Sequence, residues 1–213
     1  MPASAARLLG LLVILPLSVA LSTYAALRCA MAAYGAKWGY LAGFVWPYWG
    51  LWCYYVPKLV VGSHGVRQLL RPPRGGAAPW LAALAPAAGV AALGWQRIAA
   101  QAWPVLAASA ALAAVNGLGE ELLWRGLFVR CFPPPRRWAG WVLTGVCFPL
   151  WHLAFLAVEP AQTPGGNAGF VAGAAAIGVL WGWAALRSGS LWAPVAGHAA
   201  LNAASLIGAR YFA

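Results

Sequence analysis

The chain has 213 residues, of which 63% are hydrophobic and 8% charged, and its formal net charge is +11. A soluble domain carries roughly 25% charged residues, so a water-facing surface and a sizeable soluble domain are both excluded. Lipid is the expected solvent for most of the chain, and in lipid every backbone polar group must pair internally, which leaves helices or a closed barrel. Apolar runs of about 20 residues choose helices over the alternating strands of about 10 residues that a barrel would need. In a soluble protein the positive charge would point to nucleic acid. Here the cations sit in short loops between apolar runs, where they mark the cytoplasmic side of a membrane protein, and no nucleic-acid partner is expected.

Seven apolar segments follow in chain order, at 8–27, 39–57, 79–95, 102–129, 138–158, 169–186 and 190–209. The first follows Arg7 and is read as an anchor rather than a leader, since its apolar stretch is long and no A-x-A site follows it. The third is short and Ala-rich. The breaks carry turn chemistry: Arg71 to Gly76, Pro133 to Arg137, Pro160 to Gly166, and Ser188-Gly189-Ser190. The fold class expected is all-α, a polytopic transmembrane helical bundle of about seven spans, with six to eight allowed. Residues 1–213 form a single integral-membrane domain with a motif-bearing core over 102–209. Fourteen Trp and seven Tyr suit two membrane interfaces. Cys29, Cys53, Cys131 and Cys147 lack metal-ligand spacing and are read as packing residues.

Lys and Arg set the orientation. With the N-terminus inside, Arg7, Lys58, Arg67, Arg71, Arg74, Arg130, Arg136, Arg137 and Arg187 fall on the cytoplasmic side. Arg28, Lys37, Arg97 and Arg210 fall outside, nine against four. The expected location is a bacterial-type cytoplasmic membrane, N-terminus inside.

The acids are Glu120, Glu121 and Glu159, and the histidines His64, His152 and His198. Glu159 and His64 lie in loops, where solvation is the default. The other four lie within apolar segments, where a charge costs about 2.5–3.5 kcal/mol on insertion scales, and such residues tend to mark function. Glu121 and Arg125 are i,i+4 on a helix and can pair on one face. Glu120 points about 100° away and lacks that partner. Two adjacent carboxylates resist joint ionisation, so one neutralised by Arg and one free to exchange a proton is a sensible division. A structural ion pair is the alternative. His152 follows Phe148 by four residues in an aromatic setting, as a hydrogen-bonded core residue or as a catalyst. His198 and Asn202 share a helical face and could hold an oxyanion or join helices by hydrogen bonds. Counted from the segment ends, Glu120, His152 and His198 can converge in the cytoplasmic half of the bilayer.

Glu120-Glu121-xxx-Arg125, Phe148-xxx-His152 and His198-xxx-Asn202, in that order and in three separate segments, resemble the motifs of the CPBP family of intramembrane proteases (CAAX-processing and bacteriocin-processing enzymes, also called Abi). The resemblance covers about residues 116–204. It implies that Glu120 and His152 activate a water and that His198 and Asn202 stabilise the tetrahedral oxyanion. It implies further that Glu121 and Arg125 support the site, with Phe148 packed beside it. The activity implied is an intramembrane endopeptidase cutting near the C-terminus of a membrane-associated, lipidated or peptide substrate. No Ser or Cys sits in a nucleophile arrangement, so direct attack by water is preferred. A glutamate-type mechanism without cofactor is favoured; a zinc mechanism would use Glu120, His152 and His198. A transporter using the same residues as a pathway, and a membrane scaffold or immunity factor, are the competing classes.

Overall fold

The computed structural model describes the backbone of residues 2–130, 132–163 and 165–212, and the side chains of 13–130, 132–163 and 165–211. Cys131 lies outside them. The described residues are helical almost throughout and contain no strand. The expected all-α membrane bundle is what the chain forms. Four helical stretches are long and apolar enough to cross a membrane: 13–69, 103–130, 134–156 and 166–188. A fifth apolar helix, Ala78–Leu93, is shorter.

The first of these stretches is a hairpin. Helix α1 (Pro2–Gly43) is interrupted at Gly35, whose φ of 78° and ψ of 170° lie outside helical space; only glycine takes such values readily. The two limbs then pack together. A Cβ at Gly39 would collide with the backbone of Ala30, and one at Gly43 would stand 2.9 Å from the Cα of Leu27. Residues 39 and 43 thus descend past 30 and 27. The second limb continues through a π-helical segment (Phe44–Tyr55), which contains Pro47, and α2 (Val56–Leu69), broken again at Gly62. A proline inside a helix removes one i→i−4 bond, and widened turns are one way to absorb that loss. The two segments expected at 8–27 and 39–57 are therefore these two limbs.

Beyond them come α3 (Ala78–Leu93), the short α4 (Trp95–Ala99) and α5 (Trp103–Glu121), which runs on as a π-helical segment (Leu122–Arg130). Next are α6 (Arg137–Trp151), the single turn α7 (Leu153–Leu156), α8 (Gly166–Ser188), α9 (Trp192–Ala204) and α10 (Ala209–Phe212). The segment expected at 190–209 stops earlier as a helix. At 13 residues α9 is about 20 Å long, and the chain turns through Leu206, whose φ is 57°.

Small residues set α9 in place. A Cβ at Gly117 of α5 would stand 2.9 Å from the Ala199 nitrogen, and one at Gly197 would collide with the Ala83 carbonyl of α3. Close backbone approach through small residues is how membrane helices gain packing energy without a hydrophobic drive. Gly197→Leu is expected to push α9 off α3, and the loss should appear as a lower midpoint of thermal unfolding in detergent. An unchanged midpoint would mean the contact is dispensable.

The tryptophans differ widely in burial. Trp38, Trp46, Trp95, Trp103, Trp138 and Trp192 are exposed, whereas Trp124, Trp151 and Trp181 are fully buried. Burial takes those three out of the interface reading. The buried three build the core around the cavity described next.

Candidate active site

Three helices deliver the polar residues. Helix α5 ends on Glu120 and Glu121, and the π-helical segment that follows is buried from Leu122 to Val129. The i,i+4 pair forms although Arg125 lies in the wider turn: Arg125 Nη1 donates to Glu121 Oε1 at 2.9 Å, with both side chains fully buried. Arg125 also donates to the Gly178 carbonyl at 3.4 Å. Its guanidinium lies 4.3 Å from the centre of the Phe148 ring and 5.5 Å from that of Trp181. Cation–π contacts of this kind strengthen on desolvation. Phe148 thus packs between Arg125 and the edge of His152, whose ring lies 4.6 Å away.

His198, on α9, is held on both ring nitrogens. Its Nδ1 stands 2.8 Å from Glu121 Oε1, and since a carboxylate accepts, Nδ1 carries the proton. Its Nε2 faces the Asn116 amide at 3.5 Å and Glu120 Oε2 at 3.6 Å. The ring stacks on Trp181 at 4.5 Å, and Trp181 in turn donates to the Ala83 carbonyl. His152, at the end of α6, is fixed by the Phe148 carbonyl, 2.6 Å from Nδ1. That carbonyl can only accept, so Nδ1 donates and Nε2 is left with its lone pair. Trp151, Phe155 and Phe170 enclose the imidazole.

Glu120, Phe148, His152, His198 and Asn202 all line one cavity of about 690 Å³. Glu121 and Arg125 stand behind its wall. The two adjacent glutamates therefore have different surroundings: Glu121 is committed to Arg125 and His198, and Glu120 faces the cavity. The site lies about midway along the bundle rather than towards one end. His198 is nine residues from Gly189, or about 13 Å of helix, and His152 is seven from Glu159, or about 10 Å.

Two contributors escape sequence reasoning. Asn116 sits one helical turn before Glu120 and lines the same cavity. Trp49, in the π-helical segment of the first half, donates from its indole to Asn116 Oδ1 at 2.6 Å. That bond decides which way the amide points: oxygen to Trp49, NH₂ to His198. The i,i+4 spacing of Asn116 and Glu120 is the signal that could have drawn attention to it; nothing in the sequence links Trp49 to it. Asn116→Asp is expected to replace a donor with an acceptor beside Glu120 and His198, lowering turnover and moving the pH–rate profile. Trp49→Phe should do the same more mildly. Unchanged profiles in both would remove Asn116 from the site.

Glu159, read as a solvated loop residue, is paired with Arg210 at 2.5 Å on the rim of the cavity. His64 is exposed, as expected of a loop position, although it lies on α2 beside Gln68. Cys53 is buried, whereas Cys29 is exposed and Cys147 half-buried. Among the described residues no three His, Cys, Asp or Glu side chains gather at spacing that would hold a metal ion.

A helical membrane bundle with a carboxylate, two imidazoles and two amides on one internal cavity defines a class of intramembrane enzyme-like sites. Residues 101–204 match the family model described as Rce1-like, type II CAAX prenyl endopeptidase. No curated protein and no solved structure matches the chain. That stretch, just under half of the chain, matches the CAAX protease (CPBP) family.

Proposed function

We propose that this protein hydrolyses a peptide bond near the C-terminus of a membrane-associated protein by direct attack of a water activated by Glu120 and His152. The observation that carries the proposal is the meeting of Glu120, His152, His198 and Asn202, from three helices, on one cavity. Glu120 is the base because it faces the cavity, while Glu121 is held by Arg125 and His198. His152 Nε2, aimed by the Phe148 carbonyl, accepts a hydrogen bond from the same water.

Glu120 takes a proton as the water oxygen bonds to the scissile carbonyl carbon, and the carbonyl π electrons move to its oxygen. The Asn202 amide donates to that oxyanion. His198 joins it as a donor when its ring carries both protons, with Glu121 on one nitrogen and Glu120 near the other. Collapse of the intermediate breaks the C–N bond, and the proton on Glu120 passes to the leaving amine. Donors placed beforehand where charge develops account for a large share of such rate enhancements. Lipidated C-termini, C-terminal sorting signals and secreted peptides are all substrates of this description.

The reading is tested by comparing the C-termini of membrane proteins in cells with and without the chain. Shortened C-termini that depend on it are expected, and none would end the proposal. The mechanism invokes no cofactor. Purified enzyme of known metal content should therefore keep its rate after treatment with a strong chelator. Activity that tracks bound zinc would replace the glutamate-type step with one in which Glu120, His152 and His198 rearrange to hold the ion, which would polarise the water.

A further inference from the structure

An enzyme that cuts near the end of a chain must find that end, and a free end carries a carboxylate. A carboxylate drawn into a largely apolar cavity is costly unless a cation meets it. Among the described residues that line the cavity, Arg210 is the only Lys or Arg.

The early end of α9 is what brings Arg210 there. The chain turns at Leu206, and the Gly208 N–H donates to Ser109 Oγ on α5 at 2.9 Å. A Cβ at Gly208 would stand 2.5 Å from the Ser109 nitrogen, so the turn is pressed onto α5. The short α10 then carries Arg210 to the rim. Its guanidinium donates to the Ala36 carbonyl at 3.0 Å, lies 4.0 Å from the centre of the Tyr40 ring and pairs with Glu159. Ala36 and Tyr40 hold the cation in place without neutralising it. Glu159 neutralises it from the loop after α7, with a side chain that is 38% exposed. An ion pair this open to solvent is weakly held. A guanidinium offers five donors in a planar fork that fits a carboxylate bidentately. Glu159 therefore occupies the place of an exchangeable carboxylate.

His152 and Glu159 are seven residues apart, about 10 Å of helix. An extended chain covers that distance in about three residues. The walls between are apolar, with Phe44, Leu112, Phe155, Phe170 and Ile177. We infer that Arg210 receives the C-terminal carboxylate of the substrate in exchange for Glu159, and so sets how far from the chain end the bond is cut. This rests on the proteolytic reading above. The ligand is a peptide whose free C-terminal carboxylate follows a short apolar tail.

Binding is measured by calorimetry in detergent on the full chain carrying Glu120→Gln, which keeps the cavity and stops turnover. The probes are an acetylated apolar tetrapeptide, acetyl-Ala-Val-Leu-Ile, as the free acid and as the C-terminal amide. The acid should bind at least about tenfold more tightly, the size of one charge-assisted hydrogen bond. Adding Arg210→Met should abolish the difference by weakening the acid alone. Adding Glu159→Gln, which removes the internal competitor, should tighten the acid and leave the amide unchanged. Equal binding of acid and amide, no binding of either, or a preference that survives Arg210→Met overturns the inference. An acid affinity unchanged by Glu159→Gln overturns the exchange. Equally tight binding of an amidated peptide ending in Asp overturns recognition of the chain end. Should Arg210→Met fail to fold, the acid–amide comparison and Glu159→Gln still decide the matter.

The comparison of C-termini in cells separates this inference from the reading beneath it. Shortened C-termini without an acid preference would remove the role of Arg210 and leave the proteolytic reading standing. An acid preference without shortened C-termini would overturn the proteolytic reading, and with it the cutting distance set by Arg210.

Discussion

Replacing Glu120 by Gln is expected to lower the cleavage rate by about 10²–10⁴-fold, the range that a positioned general base contributes, while the protein still folds. The amide keeps the size of the carboxylate and can still meet Asn116 and His198, so packing around the cavity is preserved. It cannot take a proton from water. Expression level and thermal midpoint should match the parent, and the loss should appear in turnover rather than in substrate affinity. A variant that folds and still cleaves at the parental rate would show that the base lies elsewhere. Glu121→Gln is the contrasting control. That carboxylate is buried between Arg125 and His198, so its loss should disturb folding as well as rate.

The contrast between these neighbours shows what local sequence can reveal. The Glu121–Arg125 pair was legible because i,i+4 geometry is a property of one helix and needs no knowledge of the fold. It survives the change to wider turns after Glu121. The convergence of Glu120, His152, His198 and Asn202 was legible more weakly, through their order in three apolar segments. What the sequence hid is carried by contacts between distant segments. Asn116 reads as a lone amide until Trp49, 67 residues earlier, fixes its orientation. Trp124, Trp151 and Trp181 read as interface residues because burial depends on which helix lies opposite. Tyr48, again from the first half, stacks on Trp151 at 4.2 Å and accepts from the Trp124 indole. The half of the chain without motifs thus builds one wall of the cavity. Glu159 reads as a loop acid because the turn after α9, which brings Arg210 to it, follows from the early end of that helix.

Removing Arg125 has the largest expected effect on stability. Glu121 Oε1 receives both the Arg125 and the His198 bonds, at 2.9 and 2.8 Å, and all three side chains are buried. Breaking a buried ion pair from one side leaves a charge that neither water nor a partner compensates, at a cost of about 3–5 kcal/mol. Arg125→Met should therefore unfold at a distinctly lower temperature than the parent in detergent. The guanidinium is also packed against Phe148 and Trp181, so Arg125→Lys should recover only part of the loss; an ammonium cannot cover both rings as a planar group does. The informative variant is the double one, Glu121→Gln with Arg125→Met. It removes both charges, and buried pairs exchanged for neutral residues are often tolerated well. Its midpoint should lie above that of Arg125→Met alone, while its activity stays low because His198 has lost the carboxylate that orients it. A double variant no more stable than the single one would mean that Arg125 matters for its packing on Phe148 and Trp181 and not for its charge. Recovery of stability without recovery of cleavage would separate the two duties of Glu121: neutralising Arg125 within the membrane, and holding His198 with its second nitrogen towards Glu120.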